Sequence, residues 1–246
     1  MRLALLAGLA AALFAMPALA ADPPLTPEQS TAVEKIVHDY LLSHPEVLTE
    51  AITHAEEDAK AKDAAATVKA IAAHKEELER DPSTPVLGNP DGDVTLVEFF
   101  DYRCPYCKAT APALLQLLQE DPKVRLVLKD IPILGADSVY ASRVGLVAAR
   151  HGKAKEFWQA MFALKDKATP DSTLKIAKSI GLDPAVVKKE MESPEIDAII
   201  KRNTDLAVAL GIDATPTFVI GTTSLPGAIT LDDLRAQVAA ARKRPA

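Results

Sequence analysis

Residues 94–108 read VTLVEFFDYRCPYCK, and the type of fold can be inferred from this segment. The segment 94–100 is rich in β-branched and aromatic residues, which predicts a buried strand. Two cysteines follow within the motif Cys104-Pro105-Tyr106-Cys107, and the leucine-rich sequence after them predicts a helix over 104–119. The cysteine pair therefore stands between the end of a strand and the start of a helix.

The sequence after this stretch predicts a mixed α/β domain over residues 93–246. A strand, a helix and a second strand joined by short connections imply a right-handed parallel unit. The predicted elements after the first helix are, in chain order, a strand over 124–129, a helical insertion over about 136–211, a strand over 217–220, a short hairpin around 225–227 and a closing helix over 230–243. The predicted fold class is α/β.

The Cys-x-x-Cys motif has three interpretations. As half of a zinc site it needs a matching second pair, and the chain has only these two cysteines. As a structural disulfide it closes a very small loop and constrains little. As a redox dithiol it is well placed, because the helix N-terminus stabilises a thiolate at Cys104 and Cys107 lies one turn further along the same side. The sequence favours the redox interpretation.

Three further residues are candidates for the same site. Glu98 interrupts an apolar strand six residues before Cys104; it is either a carboxylate at the sheet edge or a partly buried group that relays protons and tunes the thiols. Thr215-Pro216 opens the strand over 217–220. A proline at that position is either an edge residue or part of a cis peptide bond, and the residues alone leave both possibilities open.

Composition excludes several classes of protein. The chain has 246 residues, 48% apolar residues and a net charge of −6, an ordinary globular balance. An acidic pI of about 5.4 argues against a nucleic-acid partner. Two cysteines are too few for a disulfide-stapled scaffold.

The first twenty residues have the pattern of an export signal. Arg2 precedes the apolar run LALLAGLAAALFAM over 3–16, and Ala18-Leu19-Ala20 forms a small-x-small cleavage site. The alternative is an uncleaved membrane anchor, but the run is shorter than the ~20 residues needed to span a bilayer. The sequence predicts a signal peptide over 1–20, cleavage after Ala20 and an exported protein.

An acidic helical arm is predicted over residues 21–80. Residues 21–81 hold 14 acidic and 6 basic residues, whereas the remainder of the chain is near neutral. Helix-start patterns precede two apolar stripes over 26–55, and an alanine-rich segment continues over 56–80. The arm packs on the following domain, associates with copies of itself or is a solvated spacer. We expect self-association through 26–55, a spacer over 56–80 and a Pro- and Gly-rich linker over 81–92.

The active-site stretch over 98–108 closely resembles that of the DsbA family of periplasmic thioredoxin-like proteins. The sequence GIDATPTF over 211–218 resembles the cis-proline strand of that family, and the resemblance covers about residues 85–246. It implies a thioredoxin-like fold with a helical insertion, a cis Thr215–Pro216 bond at the substrate site, Cys104 as an exposed nucleophile and Cys107 as the resolving thiol. It also implies a periplasmic enzyme whose redox centre is the Cys104–Cys107 disulfide, with no further cofactor.

The chain departs from DsbA itself at two positions. Pro105-Tyr106 replaces Pro-His, and Thr215 replaces valine, a combination that resembles the isomerase-side proteins DsbC and DsbG. Losing the histidine removes one group that stabilises the thiolate, so we expect a weaker oxidant. The arm resembles the oligomerising N-terminal segment of the ScsC-like (suppressor of copper sensitivity protein C) proteins, which are often trimers.

These observations predict a periplasmic protein disulfide oxidoreductase, acting as an oligomeric isomerase or reductase on cysteine-containing proteins. A membrane redox partner would recycle its dithiol, and a homotrimer is favoured. The alternatives are a monomeric DsbA-type oxidase, a copper(I)-binding protein that uses the Cys104 and Cys107 thiolates, and an inert adaptor whose working part is the arm.

Overall fold

The computed structural model describes residues 25–243, so the predicted signal peptide and its cleavage after Ala20 lie outside the described residues. The chain divides into two compact units, with the boundary between Asp58 and Ala59. Over the described range, every helix is too short or too polar to cross a membrane.

The N-terminal unit begins with helix α1, Pro27–Ser43. The Thr26 hydroxyl accepts a hydrogen bond from the Gln29 backbone N–H at 3.3 Å, and the Gln29 side chain accepts one from the Thr26 N–H at 2.9 Å. This is the predicted capping box, and it fixes the helix start. Helix α2, Pro45–Ala73, follows after one residue and continues past the unit boundary.

Helix α1 buries none of its side chains in this single chain. Leu41 and Val47 are partly buried, whereas the other large apolar side chains on α1 and early α2 stay about half or more exposed; these are Val33, Ile36, Val37, Tyr40, Leu42, Leu48 and Ile52. An amphipathic helix gains most of its stability by packing its apolar face. The predicted stripe is therefore present on the helices and uncovered within the described chain.

The C-terminal unit contains five strands and most of the helices. The strands are β1 Val86–Gly88, β2 Val94–Phe100, β3 Val124–Asp130, β4 Thr217–Ile220 and β5 Thr223–Pro226. The helices that follow α2 are α3 Lys75–Arg80, α4 Pro105–Glu120, α5 Ala136–Arg150, α6 Ala154–Ala163, α7 Pro170–Ser179, α8 Pro184–Glu190, α9 Pro194–Ala209 and α10 Leu231–Arg242.

The five strands form one sheet in the order β1-β3-β2-β4-β5. Strands β2 and β3 are parallel, with Glu98 opposite Leu128 and Phe100 opposite Asp130. The pairs β1–β3, β2–β4 and β4–β5 are antiparallel. The order β-α-β, helical insertion, β-β-α is the predicted one, and the α/β thioredoxin-like fold class is confirmed.

Each face of the sheet carries its own core. Alternation along β2 places Leu96, Glu98 and Phe100 on one face and Val97 and Phe99 on the other. The first face packs with residues of α4, α5, α6 and α10, and the second with residues of α9 and the segment before β1. Glu98 thus lies on the face covered by the helix that carries the cysteines.

The segment before β2 differs from its prediction. The predicted linker over 81–92 contains strand β1, which pairs with β3. Ile71 and Leu78, predicted to lie in a spacer, are buried in the core on the second face. The contacts of this segment with the sheet come mainly from two apolar side chains and a three-residue strand. The alanine-rich and proline-rich sequence therefore did not predict them.

A buried lysine fixes the same segment to the sheet. The Lys129 ammonium on β3 is fully buried and donates hydrogen bonds to the Glu77 carbonyl and the Thr84 hydroxyl, both at 2.8 Å. The Asp81 carboxylate lies 3.6 Å away. Since a buried charge must be paired and hydrogen-bonded, these contacts hold the segment in one position.

Tyr102 connects the turn after β2 to the helical insertion. Its ring lies 4.9 Å from that of Phe100, 5.4 Å from Phe157 and 5.6 Å from Phe162, measured between centroids. Gly145 on α5 leaves the space for its hydroxyl, because a Cβ there would lie 2.7 Å from the Tyr102 oxygen.

We predict that Gly145→Ala destabilises the protein by about 1–3 kcal/mol, because the added methyl overpacks the tyrosine ring. At an open helix position the same substitution stabilises by about 1 kcal/mol, so the sign of the effect is informative. Urea denaturation measures it. The double variant Gly145→Ala/Tyr102→Phe removes the clashing oxygen and should recover part of the loss; equal stability of the single variant and wild type would contradict the packing argument.

Candidate active site

Asp101 builds the turn that delivers the cysteines to the helix start. Its buried carboxylate accepts hydrogen bonds from the Arg103 backbone N–H at 2.7 Å and from the Leu134 backbone N–H at 3.0 Å. The Cys104 N–H donates to the Asp101 carbonyl at 3.0 Å. Sequence reasoning missed Asp101, although an aspartate two residues before a bonded N–H is a common turn signal.

The two cysteines occupy the first turn of α4. Cys104 is the N-cap residue, Pro105 is the first helical residue, and Cys107 lies inside the helix. Both cysteines are free thiols in this structure. Unpaired backbone N–H groups and the positive end of the helix dipole therefore surround the Cys104 sulfur.

The two thiols have opposite acidities. The pKa of Cys104 is lowered to about 5, and the largest cause is a hydrogen bond from the Cys107 thiol. The Thr215 side chain and the backbone N–H groups of Cys107 and Tyr106 lower this pKa further, whereas burial raises it. Burial raises the pKa of Cys107 far above its ordinary value, and donation to the Cys104 sulfur raises it further. At neutral pH, Cys104 is therefore a thiolate and Cys107 a thiol.

Thr215 and Pro216 lie directly against the nucleophile. The Thr215–Pro216 bond is cis, as the family resemblance implied. The Cys104 sulfur lies 3.1 Å from the Thr215 carbonyl oxygen, to which its protonated form donates. The Pro216 carbonyl accepts instead from the Gly227 N–H at 2.8 Å, which anchors this loop to the end of β5.

Cys104 is less exposed than the family resemblance implied. Cys104 was expected to be an exposed nucleophile, but the residue is only 4% exposed, against none for Cys107. Its position at the helix start turns the Cys104 sulfur toward the Thr215 carbonyl, and the surface beside it is formed by Pro105 and by Tyr106, which is 63% exposed. A substrate disulfide must therefore come close to the protein surface to reach the small exposed part of Cys104.

Glu98 is buried beneath the dithiol. The residue is fully buried, and neither carboxylate oxygen has a hydrogen-bond partner in the described chain. Burial raises its pKa to about 8, with further contributions from the Cys104 thiolate and Asp130. The functional interpretation of Glu98 as a buried titratable group is the one that its surroundings support.

Asp130 is a second buried acid that sequence reasoning missed. It ends β3 on the same face of the sheet as Glu98, is 4% exposed and leaves one carboxylate oxygen without a partner. Burial raises its pKa well above the ordinary value. The signal in the sequence was an aspartate at the end of a strand whose residues on the same face are apolar.

Comparison with known proteins agrees with this geometry. Residues 95–239 match the DSBA-like thioredoxin domain. The chain belongs to this family. The family predicted from the active-site stretch is thereby confirmed. Residues 29–62 match the N-terminal domain of the copper resistance protein ScsC, which places a recognised module on the predicted arm.

Solved structures cover most of this DsbA-like chain. A thioredoxin-like oxidoreductase from Silicibacter pomeroyi is 42% identical, covers 69% of the chain and 98% of its own length, and superposes with a TM-score of 0.67. ScsC from Proteus mirabilis in a transitional conformation is 30% identical, covers 89% of the chain and 99% of its own, with a TM-score of 0.66. The arm and the domain thus occur together in a similar protein.

A curated relative shares only part of its length with the chain. The Na(+)/H(+) antiporter NhaA 3 of Salinispora tropica is 28% identical over 166 residues, which is 65% of this chain and 26% of the antiporter. The chain spans about a quarter of that protein.

We predict that Cys107→Ala raises the pKa of Cys104 from about 5 toward the ordinary thiol value, because the substitution removes the thiol that donates to the thiolate. Cys107→Ser keeps an O–H donor and should shift the pKa much less. The pH dependence of ultraviolet thiolate absorbance in the reduced protein measures all three values. An equal shift in both variants would show that the donated hydrogen bond is not the cause.

We predict that Glu98→Gln stabilises the reduced protein as the pH rises. A folded-state pKa raised from 4.5 to about 8 means that wild type loses stability progressively between those values, whereas glutamine does not ionise. The free energy of unfolding of Glu98→Gln minus that of wild type should grow by about 3–5 kcal/mol between pH 4.5 and pH 8 and then level off. Denaturant unfolding at a series of pH values measures this difference, and a difference that does not change with pH would mean that Glu98 titrates normally.

Proposed function

We propose that the protein exchanges disulfides with cysteine-containing substrate proteins in the periplasm, as an oligomeric isomerase or reductase. The observation that carries the proposal is the placement of the two thiols, with Cys104 at the N-cap of α4 beside the cis Thr215–Pro216 bond and Cys107 buried inside the helix, which gives them unequal acidities. A thiolate at Cys104 can attack a disulfide at neutral pH, while a protonated Cys107 does not compete with it. The reversible Cys104–Cys107 disulfide is the redox centre, and no further cofactor is invoked.

Cys104 and Cys107 account for every bond that forms and breaks in the exchange. The Cys104 thiolate attacks one sulfur of a substrate disulfide, which forms a mixed disulfide and releases the other substrate sulfur as a thiolate. That thiolate can attack elsewhere in the substrate, which reshuffles its bonds and finally frees Cys104. Alternatively, Cys107 loses its proton and attacks the Cys104 sulfur, which reduces the substrate and oxidises the dithiol.

Glu98 supplies the proton acceptor for the second route. The negative charge at Cys104 helps to hold the pKa of Glu98 at about 8. That charge disappears when Cys104 enters a mixed disulfide, so Glu98 becomes a stronger acid and ionises more readily. A carboxylate then appears beside Cys107 at the step that requires removal of its proton. A membrane redox partner would afterwards reduce the Cys104–Cys107 disulfide.

The uncovered stripe on α1 and early α2 supports assembly. Six exposed apolar side chains lie along this stripe, and packing three copies together would bury them; they are Val33, Ile36, Val37, Tyr40, Leu48 and Ile52. We propose a trimer, since several dithiols held together can keep a misfolded substrate bound while its disulfides reshuffle.

Copper(I) sequestration by the same sulfurs is less well supported. Copper(I) favours two thiolates, and burial together with the hydrogen bond to Cys104 raises the pKa of Cys107. The proton that copper would have to displace is therefore held tightly, whereas disulfide exchange needs only the Cys104 thiolate at its first step.

Two assays test the chemistry. The wild-type protein should reduce insulin and refold scrambled ribonuclease, and Cys104→Ser should abolish both activities because the attacking thiolate is gone. Retention of either activity in Cys104→Ser would reject the redox assignment.

Substitutions on α1 test the assembly. Ile36→Glu/Tyr40→Glu places two charges on the stripe and should yield a monomer by light scattering that reduces insulin but refolds scrambled ribonuclease several-fold more slowly. Thr31→Glu/His38→Glu adds two acidic side chains to the opposite face and should leave mass and activity unchanged. A monomeric wild-type protein would reject the oligomeric isomerase and favour a DsbA-type oxidase.

A further inference from the structure

A cleft of about 250 Å³ opens beside the nucleophile in the C-terminal unit. It lies between the start of α4 and the segment that follows α6. Its lining residues are Tyr102, Arg103, Cys104, Pro105, Lys108, Met161, Lys165, Asp166, Lys167 and Ala168. Because Cys104 itself forms part of the wall, a group bound in the cleft would lie next to any disulfide formed at this sulfur.

The cleft carries a strong excess of positive charge. Four cationic side chains face one carboxylate, that of Asp166. Two of the cations are engaged elsewhere: Arg103 lies 3.6 Å from the Asp137 carboxylate, and the Lys108 ammonium donates to the Leu164 carbonyl. The net charge of the lining contrasts with the near-neutral charge of the whole C-terminal part of the chain.

Lys165 and Lys167 supply the charge that is available to a ligand. Both side chains are exposed, and neither forms an ion pair within 4.0 Å in the described part of the chain. They flank Asp166 in the short segment between α6 and α7, while buried Met161 and Ala168 form an apolar floor. An apolar floor with two free ammonium groups fits a short peptide that carries carboxylates.

We propose that this cleft selects substrate disulfides whose cysteines are flanked by acidic residues, an inference that rests on the disulfide exchange proposed above. When the Cys104 thiolate attacks such a disulfide, one peptide stays attached through the new Cys104–sulfur bond and the other leaves as a thiolate. Carboxylates next to the attached cysteine then lie beside Lys165 and Lys167. Cys107 releases the bound peptide in the second exchange.

The expected effect is moderate and depends on salt. One ammonium–carboxylate pair separated by about 8 Å in water changes a rate roughly twofold, so two lysines give about fivefold at low ionic strength. At about 1 M salt the screening length falls to about 3 Å, and the preference should disappear.

Three peptide disulfides test the proposal. Each is the oxidised dimer of a short peptide with one cysteine, flanked by glutamate, glutamine or lysine, and the measured quantity is the rate at which it oxidises the reduced full-length protein. In Lys165→Gln/Lys167→Gln, the rate with the glutamate peptide should fall about fivefold relative to wild type. The rate with the glutamine peptide should not change, and the rate with the lysine peptide should rise. Because each peptide is compared with itself, differences in leaving-group acidity cancel.

Lys188→Gln/Lys189→Gln is the matched control. These exposed lysines lie on α8, and their removal changes the net charge of the protein by the same amount. The control should preserve all three wild-type rates. An equal loss in the control, or equal rates for the glutamate peptide in wild type and the Lys165/Lys167 variant, would overturn the cleft proposal. Failure of the glutamine peptide to oxidise wild-type protein would instead reject the disulfide exchange itself.

Discussion

The hydrogen bond from the Cys107 thiol to the Cys104 sulfur is the interaction on which the site depends. It lowers the pKa of one cysteine and raises that of the other. Without it, the Cys104 thiolate would lose its largest stabilising contact, while burial would still keep the pKa of Cys107 high. The surrounding structure preserves the arrangement, since the Asp101 turn sets where α4 begins and the buried core beneath Cys107 keeps its thiol away from water.

The buried acids complete this arrangement from the other side of the helix. Neither Glu98 oxygen has a hydrogen-bond partner in the described chain, and Asp130 lies on the same face of the sheet. Two neighbouring carboxyl groups in an apolar core oppose each other's ionisation, so a proton can be held near Cys107 at neutral pH. Such groups reduce stability, and their retention under the dithiol is consistent with a role in proton transfer rather than in folding.

More of the active site than of the domain boundary could be predicted from the sequence. The strand 94–100, the dithiol and the helix after it could be predicted because alternation, a proline and a cysteine pair act over a few residues. The family resemblance then placed Thr215 and Pro216 more than a hundred residues away beside Cys104. Strand β1 and the burial of Ile71 and Leu78 depend on long-range packing of a short, weakly apolar segment, and local patterns do not report such contacts. Asp130 was missed for the same reason, because its burial follows from the strand register.

Trapping of the mixed disulfide shows which of the two cysteines attacks a substrate. Cys107→Ser and Cys104→Ser each leave one thiol, and the first keeps an O–H donor beside Cys104; each variant is exposed to a model peptide disulfide at a pH of about 6, above the pKa of Cys104 and below that of an ordinary thiol. Mass spectrometry then follows the adduct over time. We expect rapid modification of Cys104 in the first variant and almost none of Cys107 in the second. Equal rates for the two cysteines would contradict this expectation, because the structure would then not distinguish an attacking thiolate from a resolving thiol.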